Sequence, residues 1–547
     1  MRFLLALIVA ALTWGVFAFG APYPWAYWPL VGLSAVIGIA GLVGAPKAYW
    51  AGLKPGPYDE DVRSWAVGAA LALVVVAVLL QLVPLPMDVL VRVSPAVDPY
   101  LQKTDLAYAA AALGGAEAPP LRRGDARGGG GISVWHPLSI RPDRTWLGLA
   151  FLASFGVLTL GAARLFGRVG VRSLAPALVA LGVLVALTGV IQAGLALGEP
   201  ITRVLGFWTP EHQGSVFGPF VNRNHFAGWM LMVLPLAIGY FSALVSRGMR
   251  GVKPEWHERI VWFSSREASQ VILVGFAIVV MGLSLVLTMS RSGIACFAIA
   301  IAIVGTFLIR PQRHRDTEDL FSTGPQRHGG TEGGSHERRV TSNERATARL
   351  KPGPTGGRES ASAVSALTAA RSRGRRRVLL GYLVFLVAVS AGWAGVDTIA
   401  ARFSTASSDF ASRYDIWQDT VQILRDFPLT GTGLNTYGPA MLVYQTYDRR
   451  ALAVEAHNDY LQLAAEGGLL VCIPIVIAVA LFVREVRRRF REGDASRTTY
   501  WLRLGAVTGL VAIALQETVE FSLQMPGNAA LFCVLAAIAA HRSEHSR

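Results

Sequence analysis

The sequence predicts an all-α polytopic membrane protein with about twelve transmembrane helices and a large extracytoplasmic loop domain between the ninth and tenth. Three observations carry this. Hydrophobic residues make up 52% of the 547-residue chain and charged residues only 16%, against about 25% charged in soluble domains. Mean hydropathy is +0.43, and apolar runs of about 18 residues or more recur from end to end. The basic residues gather between those runs. A soluble enzyme, a secreted disulfide scaffold and a disordered chain are excluded. An outer-membrane barrel is disfavoured, because its strands alternate apolar and polar residues.

In chain order the apolar runs fall at about 2–20, 25–44, 64–84, 145–163, 173–197, 224–245, 270–289, 292–309, 378–396, 464–483, 501–518 and 527–541, each near the length that crosses the hydrocarbon core. The first resembles a signal peptide, with Arg2, an apolar stretch and small residues at Gly20 and Ala21. Its length and the spans that follow at once favour a transmembrane helix. Segments 162–172, 246–269, 310–377 and 484–500 are rich in Arg and Lys, as at Arg164, Arg168, Arg172, Arg484, Arg487, Arg488 and Arg489. The positive-inside rule assigns them, with both termini, to the cytoplasm. The outer connections are then 85–144, 198–223, a tight turn at 289–291, 397–463 and 519–526. Loop 85–144 holds Arg122 and Arg123, but long loops obey the rule weakly. The net charge of +15, from 51 basic and 36 acidic residues, therefore reads as membrane topology, and no nucleic-acid partner is expected.

Three parts follow: a membrane bundle over 1–309 (spans one to eight), a basic linker over 310–377, and a second bundle over 378–547 (spans nine to twelve) that includes the periplasmic loop domain 397–463. The linker is rich in Arg, Gly, Ser, Thr and Pro with almost no aromatics, so it is expected to be disordered and cytoplasmic. Loop 397–463 carries Tyr414, Trp417, Phe427, Tyr437, Tyr444, Tyr447 and Tyr460 among charges and glycines, a composition that can fold. Cys296, Cys472 and Cys533 lie in apolar runs and read as small core hydrophobes.

There is no Walker A sequence, no HExxH, no paired Cys/His set with zinc spacing and no GxSxG elbow. No metal and no cofactor are expected. Gly431-Thr432-Gly433 with Gly438 lacks dinucleotide-binding spacing and reads as a turn. Several polar residues instead fall on the expected outer face. Arg291 lies between two apolar runs with no room for a loop; it either snorkels or awaits an anionic head group. Arg413 opens a segment, 412–425, with Ile416, Thr420, Ile423 and Leu424 on one helical face. In its first turn it suits an anion or a surface pair with Asp409 or Asp415. His457 precedes span ten, where a neutral imidazole either accepts a proton, oriented by Glu455 or Asp459, or bonds to backbone. Asn222-Arg223-Asn224-His225 opens span six, with Asn224 as the expected N-cap. Glu517 and Glu520 are three apart at the end of span eleven and share a helix face; they suit a cation, sugar hydroxyls, or neutralisation of Arg291 or Arg413.

Four segments carry a family resemblance: SVFGPFVNRNHFAGWM at 215–230, TMSRSG at 288–293, SRYDIWQDTVQILRDFPLTGTGLNTY at 412–437 and EAHNDYLQLAAEGGLL at 455–470. HPLSIRPDRTW at 136–146 and ETVEFSLQMPGNAALF at 517–532 extend it. In these segments the chain resembles the bacterial O-antigen ligase and O-antigen polymerase family of integral membrane glycosyltransferases. The resemblance implies an enzyme of the bacterial inner membrane with its site facing the periplasm. It would move a glycan from undecaprenyl diphosphate to a hydroxyl of lipid A–core, of another glycan or of a protein, without a metal and with inversion at the anomeric centre. Arg291 and Arg413 match the arginines that engage the diphosphate, and His457 matches the histidine that activates the acceptor. Asn458 extends the match; Arg223 and Tyr414, inside two of the segments, join it as substrate-binding candidates. The rival class is a transporter or flippase for a lipid-linked glycan. That would place charges along a mid-membrane path, whereas these spans hold few charges mid-helix.

Overall fold

The computed structural model describes residues 2–43, 59–106, 108–109, 135–196, 201–211, 215–248, 257, 262, 264–309, 406–447, 451–492 and 496–542. The expected linker 310–377 and span 378–396 lie outside the described residues. Met1–Ala302 with Val389–Arg547 form one compact unit, and Ile303–Ala388 a second, of which 303–309 are described. The first unit holds everything below.

Its helices are α1 (Arg2–Phe17), α2 (Pro24–Val43), α3 (Asp59–Gln81), α4 (Met87–Val93), α5 (Val97–Thr104), α6 (Pro142–Val169), α7 (Ala175–Ala196), α8 (Arg223–Gly248), α9 (Arg266–Leu287), α10 (Arg291–Ile309, whose last residues enter the second unit), α11 (Ala406–Asp426), α12 (Tyr437–Tyr444), α13 (Asp459–Arg491), α14 (Arg497–Gln516) and α15 (Pro526–Ala540). Seven, namely α2, α6, α7, α8, α9, α13 and α14, are long and apolar enough to cross a membrane. Shorter apolar helices stand at α1, at Ala66–Gln81 within α3, at Arg291–Ile303 within α10 and at α15. Together these occupy every expected span except 378–396. The protein is thus a helical polytopic membrane protein, as the hydropathy required.

Small residues allow close helix contacts. Gly505 and Gly509 lie four apart on α14, and a Cβ at these positions would come within 2.5 Å of the Pro235 carbonyl oxygen and 2.6 Å of that of Met232 on α8. Only hydrogen lets the backbones approach so closely, the usual means of association where apolar burial alone gives no preference between helices and lipid. Two residues before Gly505, buried Arg503 donates to the carbonyl oxygens of Ala539 (3.1 Å), Arg489 (3.1 Å) and His541 (2.8 Å). It thereby satisfies terminal carbonyls of α13 and α15 that have no partner within their own helices.

One small sheet interrupts the helices. β1 (Pro84–Pro86) pairs antiparallel with β2 (Trp135–Pro137), Leu85 opposite His136. It brings the two ends of loop 85–144 together beside the second loop. Leu90, Val97, Tyr100 and Leu101 from the first share one buried cluster with Ile416, Ile423, Phe427, Tyr437 and Met441 from the second. The loop domain expected from 397–463 alone is therefore built from both loops.

The second device is a break in α13. Gly468 has φ 55° and ψ −165°, which is not helical. The break frees carbonyls that the 428–433 turn then uses: Thr432 N–H donates to Ala465 O at 3.0 Å and Gly433 N–H to Glu466 O at 2.9 Å. In return Leu469 and Leu470 donate to the carbonyls of Pro428 (3.0 Å) and Leu429 (2.9 Å). Buried Glu466 accepts from the backbone N–H of Asn435 (2.7 Å) and Tyr437 (2.9 Å). Gln81, at the end of α3, donates to the carbonyls of Thr430 (2.7 Å) and Glu466 (2.9 Å). Gly431-Thr432-Gly433 is a turn, as expected, and docks on the broken helix, whereas Gly438 lies in the first turn of α12.

Candidate functional site

The site is organised by the turn between α14 and α15, residues 517–525. Hydrogen bonds tie the starts of α8 and α13 to it. Asp459 N–H donates to Glu517 O at 3.0 Å, and Gln524 Nε2 donates to Asp459 Oδ1 at 2.7 Å. Gln516 Nε2 and Ser522 Oγ both donate to Asn224 O, at 3.2 and 3.3 Å. Asn528 Nδ2 donates to His225 O and Ser522 O, each at 3.0 Å.

Glu520 sits at the centre. Its Oε1 accepts from Arg413 Nη2 at 2.6 Å, Asn224 Nδ2 at 2.8 Å and Ser292 Oγ at 3.4 Å. Its side chain is 2% exposed, that of Arg413 24%. Arg413 therefore pairs with Glu520; the side chain of Asp409 lies outside the described residues. It also lies deeper in its helix than the sequence suggests. Helix α11 begins at Ala406, so Arg413 is two turns in, away from the free amides of the first turn. The expected inward face is present: Ile416, Thr420 and Ile423 are buried.

Asn222, not Asn224, caps α8: its Oδ1 accepts the Asn224 N–H at 2.8 Å. This leaves the Asn224 amide for Glu520. Helix α14 ends at Gln516, so Glu517 and Glu520 share no helix face. The chain turns between them, and Glu520 swings to Arg413 while Glu517 stays buried beside Asp459. Arg291 and Arg223 are the first residues of α10 and α8, each next to a Glu520 partner, Ser292 and Asn224. The tight 289–291 turn is present, with Met289 at φ 52° and Ser290 Oγ accepting the Gly293 N–H at 3.3 Å.

His457 has φ 50°, a left-handed conformation that costs energy in a residue with a side chain. Asn458 holds it there by capping α13, its Oδ1 accepting the Leu461 N–H at 3.0 Å. This cap is a structural task for Asn458. The imidazole meets the Phe521 ring edge-on at 4.8 Å between centroids, and the buried His225 ring meets Phe521 at 4.7 Å. Among the described residues no hydrogen bond reaches the buried Nδ1 of His457. Among the described residues neither Glu455 nor Asp459 bonds to the ring, so the expected carboxylate orienter gives way to an aromatic neighbour. Burial, helped by the Arg413 guanidinium, lowers the His457 pKa to about 4. Burial and the Asp459 carboxylate push Glu455 up to about 7. His457 is therefore neutral at physiological pH. Tyr414, beside Arg413, is half exposed. Among the described residues no three His, Cys, Asp or Glu side chains group as metal ligands.

The structure thus brings Arg413, the neighbours of Arg291 and Arg223, and His457 onto one turn. Of the alternatives that the sequence left open for Glu517 and Glu520, the structure shows the pairing of Glu520 with Arg413. No sequence signal pointed to Phe521, whose ring meets the imidazoles of His225 and His457.

Fold and site together define a multi-pass helical membrane protein whose loop segments converge on a cluster of arginine, histidine and carboxylate. Residues 360–476 match the family model for O-antigen ligase, a stretch that includes Arg413, Tyr414, His457 and the broken start of α13. A search of curated proteins returned no match to the chain. The family match supports placing the chain in the O-antigen ligase and polymerase family, and with it glycan transfer of that type from a lipid-linked donor in a membrane.

Proposed function

We propose that the protein transfers a glycan from undecaprenyl diphosphate to an acceptor hydroxyl on the periplasmic face of the bacterial inner membrane, as an O-antigen ligase or surface-polysaccharide polymerase. The acceptor is lipid A–core, a growing glycan or a protein hydroxyl. The observation that carries this reading is the convergence on one turn of Arg413, of the residues flanking Arg291 and Arg223, and of a neutral His457.

In this reading the bond from the anomeric carbon to the diphosphate oxygen breaks as the acceptor oxygen bonds to the same carbon. Undecaprenyl diphosphate leaves with the electron pair. The arginines stay charged at all relevant pH and bind phosphate oxygens through a planar fork. Their attraction strengthens as negative charge collects on the leaving diphosphate in a site of low dielectric. His457 takes the acceptor proton, and attack from the face opposite the diphosphate inverts the anomeric centre. The free enzyme keeps the imidazole neutral through burial and the nearby Arg413. A bound diphosphate offsets that guanidinium charge and raises the basicity of His457 when the acceptor arrives. Arg291, Arg223 and Tyr414 bind the donor, and no metal is required.

The test is reconstitution in liposomes with an undecaprenyl diphosphate glycan and each acceptor class, followed by linkage analysis of the product. A new glycosidic bond of inverted configuration, formed in the presence of a chelator, is the expected result. Movement of the lipid-linked glycan across the bilayer with no new bond would replace the enzyme by a flippase.

A further inference from the structure

The three arginines of the proposed donor site are on three different helices, α8, α10 and α11, and long cationic side chains do not assemble without a counter-ion. One carboxylate reaches all three helices. Glu520 Oε1 binds Arg413 directly at 2.6 Å and binds Asn224 and Ser292, the residues that follow Arg223 and Arg291, at 2.8 and 3.4 Å. It is 1% exposed as a residue. Among the described residues its other oxygen, Oε2, is buried with no hydrogen bond, so the hydrogen bonds that join it to this array run through a single atom.

We propose that Glu520 is a positioning residue: it fixes Arg413 against the first turns of α8 and α10, so that the arginines meet the leaving diphosphate already arranged. This rests on the functional reading above. Glu520 takes no part in bond making; it acts through Arg413. Ordering a flexible arginine before the donor arrives spares that entropy at the moment of reaction. A small misplacement of a group that stabilises the leaving charge lowers turnover by about ten- to a hundredfold. Ground-state affinity responds differently. Neutralising Glu520 loosens Arg413 but also removes an anion that repels the diphosphate, and the two consequences oppose one another.

Glu520→Gln should therefore lower kcat by about ten- to a hundredfold while the donor KM stays within about threefold. In an Arg413→Ala background the same change should cost no more than about a further twofold, because its target is gone. Full multiplication of the two losses, or an unchanged kcat in Glu520→Gln, overturns the proposal. Should Glu520→Gln fail to insert, the Asn224→Ala/Ser292→Ala variant keeps the carboxylate and loosens the array. It should lower kcat severalfold with Arg413 present and not without it, and equal losses in both backgrounds overturn the proposal. Binding of undecaprenyl diphosphate to the detergent-solubilised protein separates the two readings. Wild type that neither binds this lipid nor transfers glycan overturns the functional reading and this proposal together. Arg413-dependent binding by wild type with multiplicative kinetics overturns this proposal alone.

Discussion

The imidazole of His457 stands edge-on to the ring of Phe521, with centroids 4.8 Å apart and planes at 82°. An aromatic edge shields a base without neutralising it or donating a proton to it. This is why His457 remains a titrating group while its pKa falls.

The first prediction concerns His457 itself. General-base catalysis contributes about 10²- to 10⁴-fold, so His457→Ala and His457→Gln should both lower turnover on that scale with binding of undecaprenyl diphosphate nearly intact. A glutamine variant that turns over like wild type would move the base elsewhere, with Asp459 next to be tested.

The second concerns pH. An unperturbed histidine loses its basic form below about pH 6.5, but in the folded protein His457 titrates near 4. The pH profile of kcat/KM for the donor should lack an acid limb at 6.5 that depends on His457, and should fall as pH drops through about 4. The sign for stability follows. Between about 4 and 6.5 the unfolded chain binds the proton and the folded one does not, so this residue makes the fold less stable as pH falls across that window. Thermal unfolding of wild type and His457→Gln at pH 7 and pH 5 checks it: the gap between them should shift in favour of the glutamine variant at pH 5.

The third concerns the arginines. Alanine at Arg413 or Arg291 should cost about 1.5–3 kcal/mol of transition-state stabilisation, the scale of a lost charge-assisted hydrogen bond. Lysine should rescue only in part, because it lacks the planar fork. Activity should survive EDTA. Abolition by EDTA with recovery on adding a divalent ion would point to a carboxylate-bound metal instead.

The fourth concerns Gly468. Its φ of 55° disfavours any side chain, and a Cβ there would press on the backbone of Gly431 and Leu429. Gly468→Ala should destabilise the protein by about 1–3 kcal/mol or more, read as a lower melting temperature in detergent. A variant as stable as wild type would mean that the docked turn does not depend on this break.

The fifth concerns topology. The charge pattern assigns the face bearing Arg413 to the periplasm and the Arg484–Arg491 end of α13 to the cytoplasm. A cysteine replacing exposed Ser412 should react with an impermeant reagent in spheroplasts. One replacing exposed Arg491 should react only after permeabilisation. The reverse pattern would invert the orientation and remove the site from its lipid-linked donor.

The spans were legible because hydropathy is a local signal, complete within about twenty residues. Arg413 and His457 were legible because they sit in short motifs. Glu520 was legible only as one of several pairings, beside Glu517 and toward Arg291 or Arg413, because its ion partner lies 107 residues away and only the folded chain decides among them. The share of loop 85–144 in the loop domain was hidden for the same reason: Leu90 and Ile423 meet only after the chain has crossed the membrane several times. The break at Gly468 was invisible because two glycines in an apolar run read as tolerated helix residues. The expected cap at Asn224 slipped to Asn222 because both are good caps and only tertiary contact decides between them.

The interruption of α13 sews the helix to its neighbour on both sides of the break. Before Gly468, the carbonyls of Ala465 and Glu466 accept from Thr432 and Gly433; after it, Leu469 and Leu470 donate to Pro428 and Leu429. An unbroken helix would have used those groups in its own ladder. Turned outward, they join the segment that begins beside His457 to the turn that follows α11, so the histidine and the arginine of the site hang from one seam of backbone.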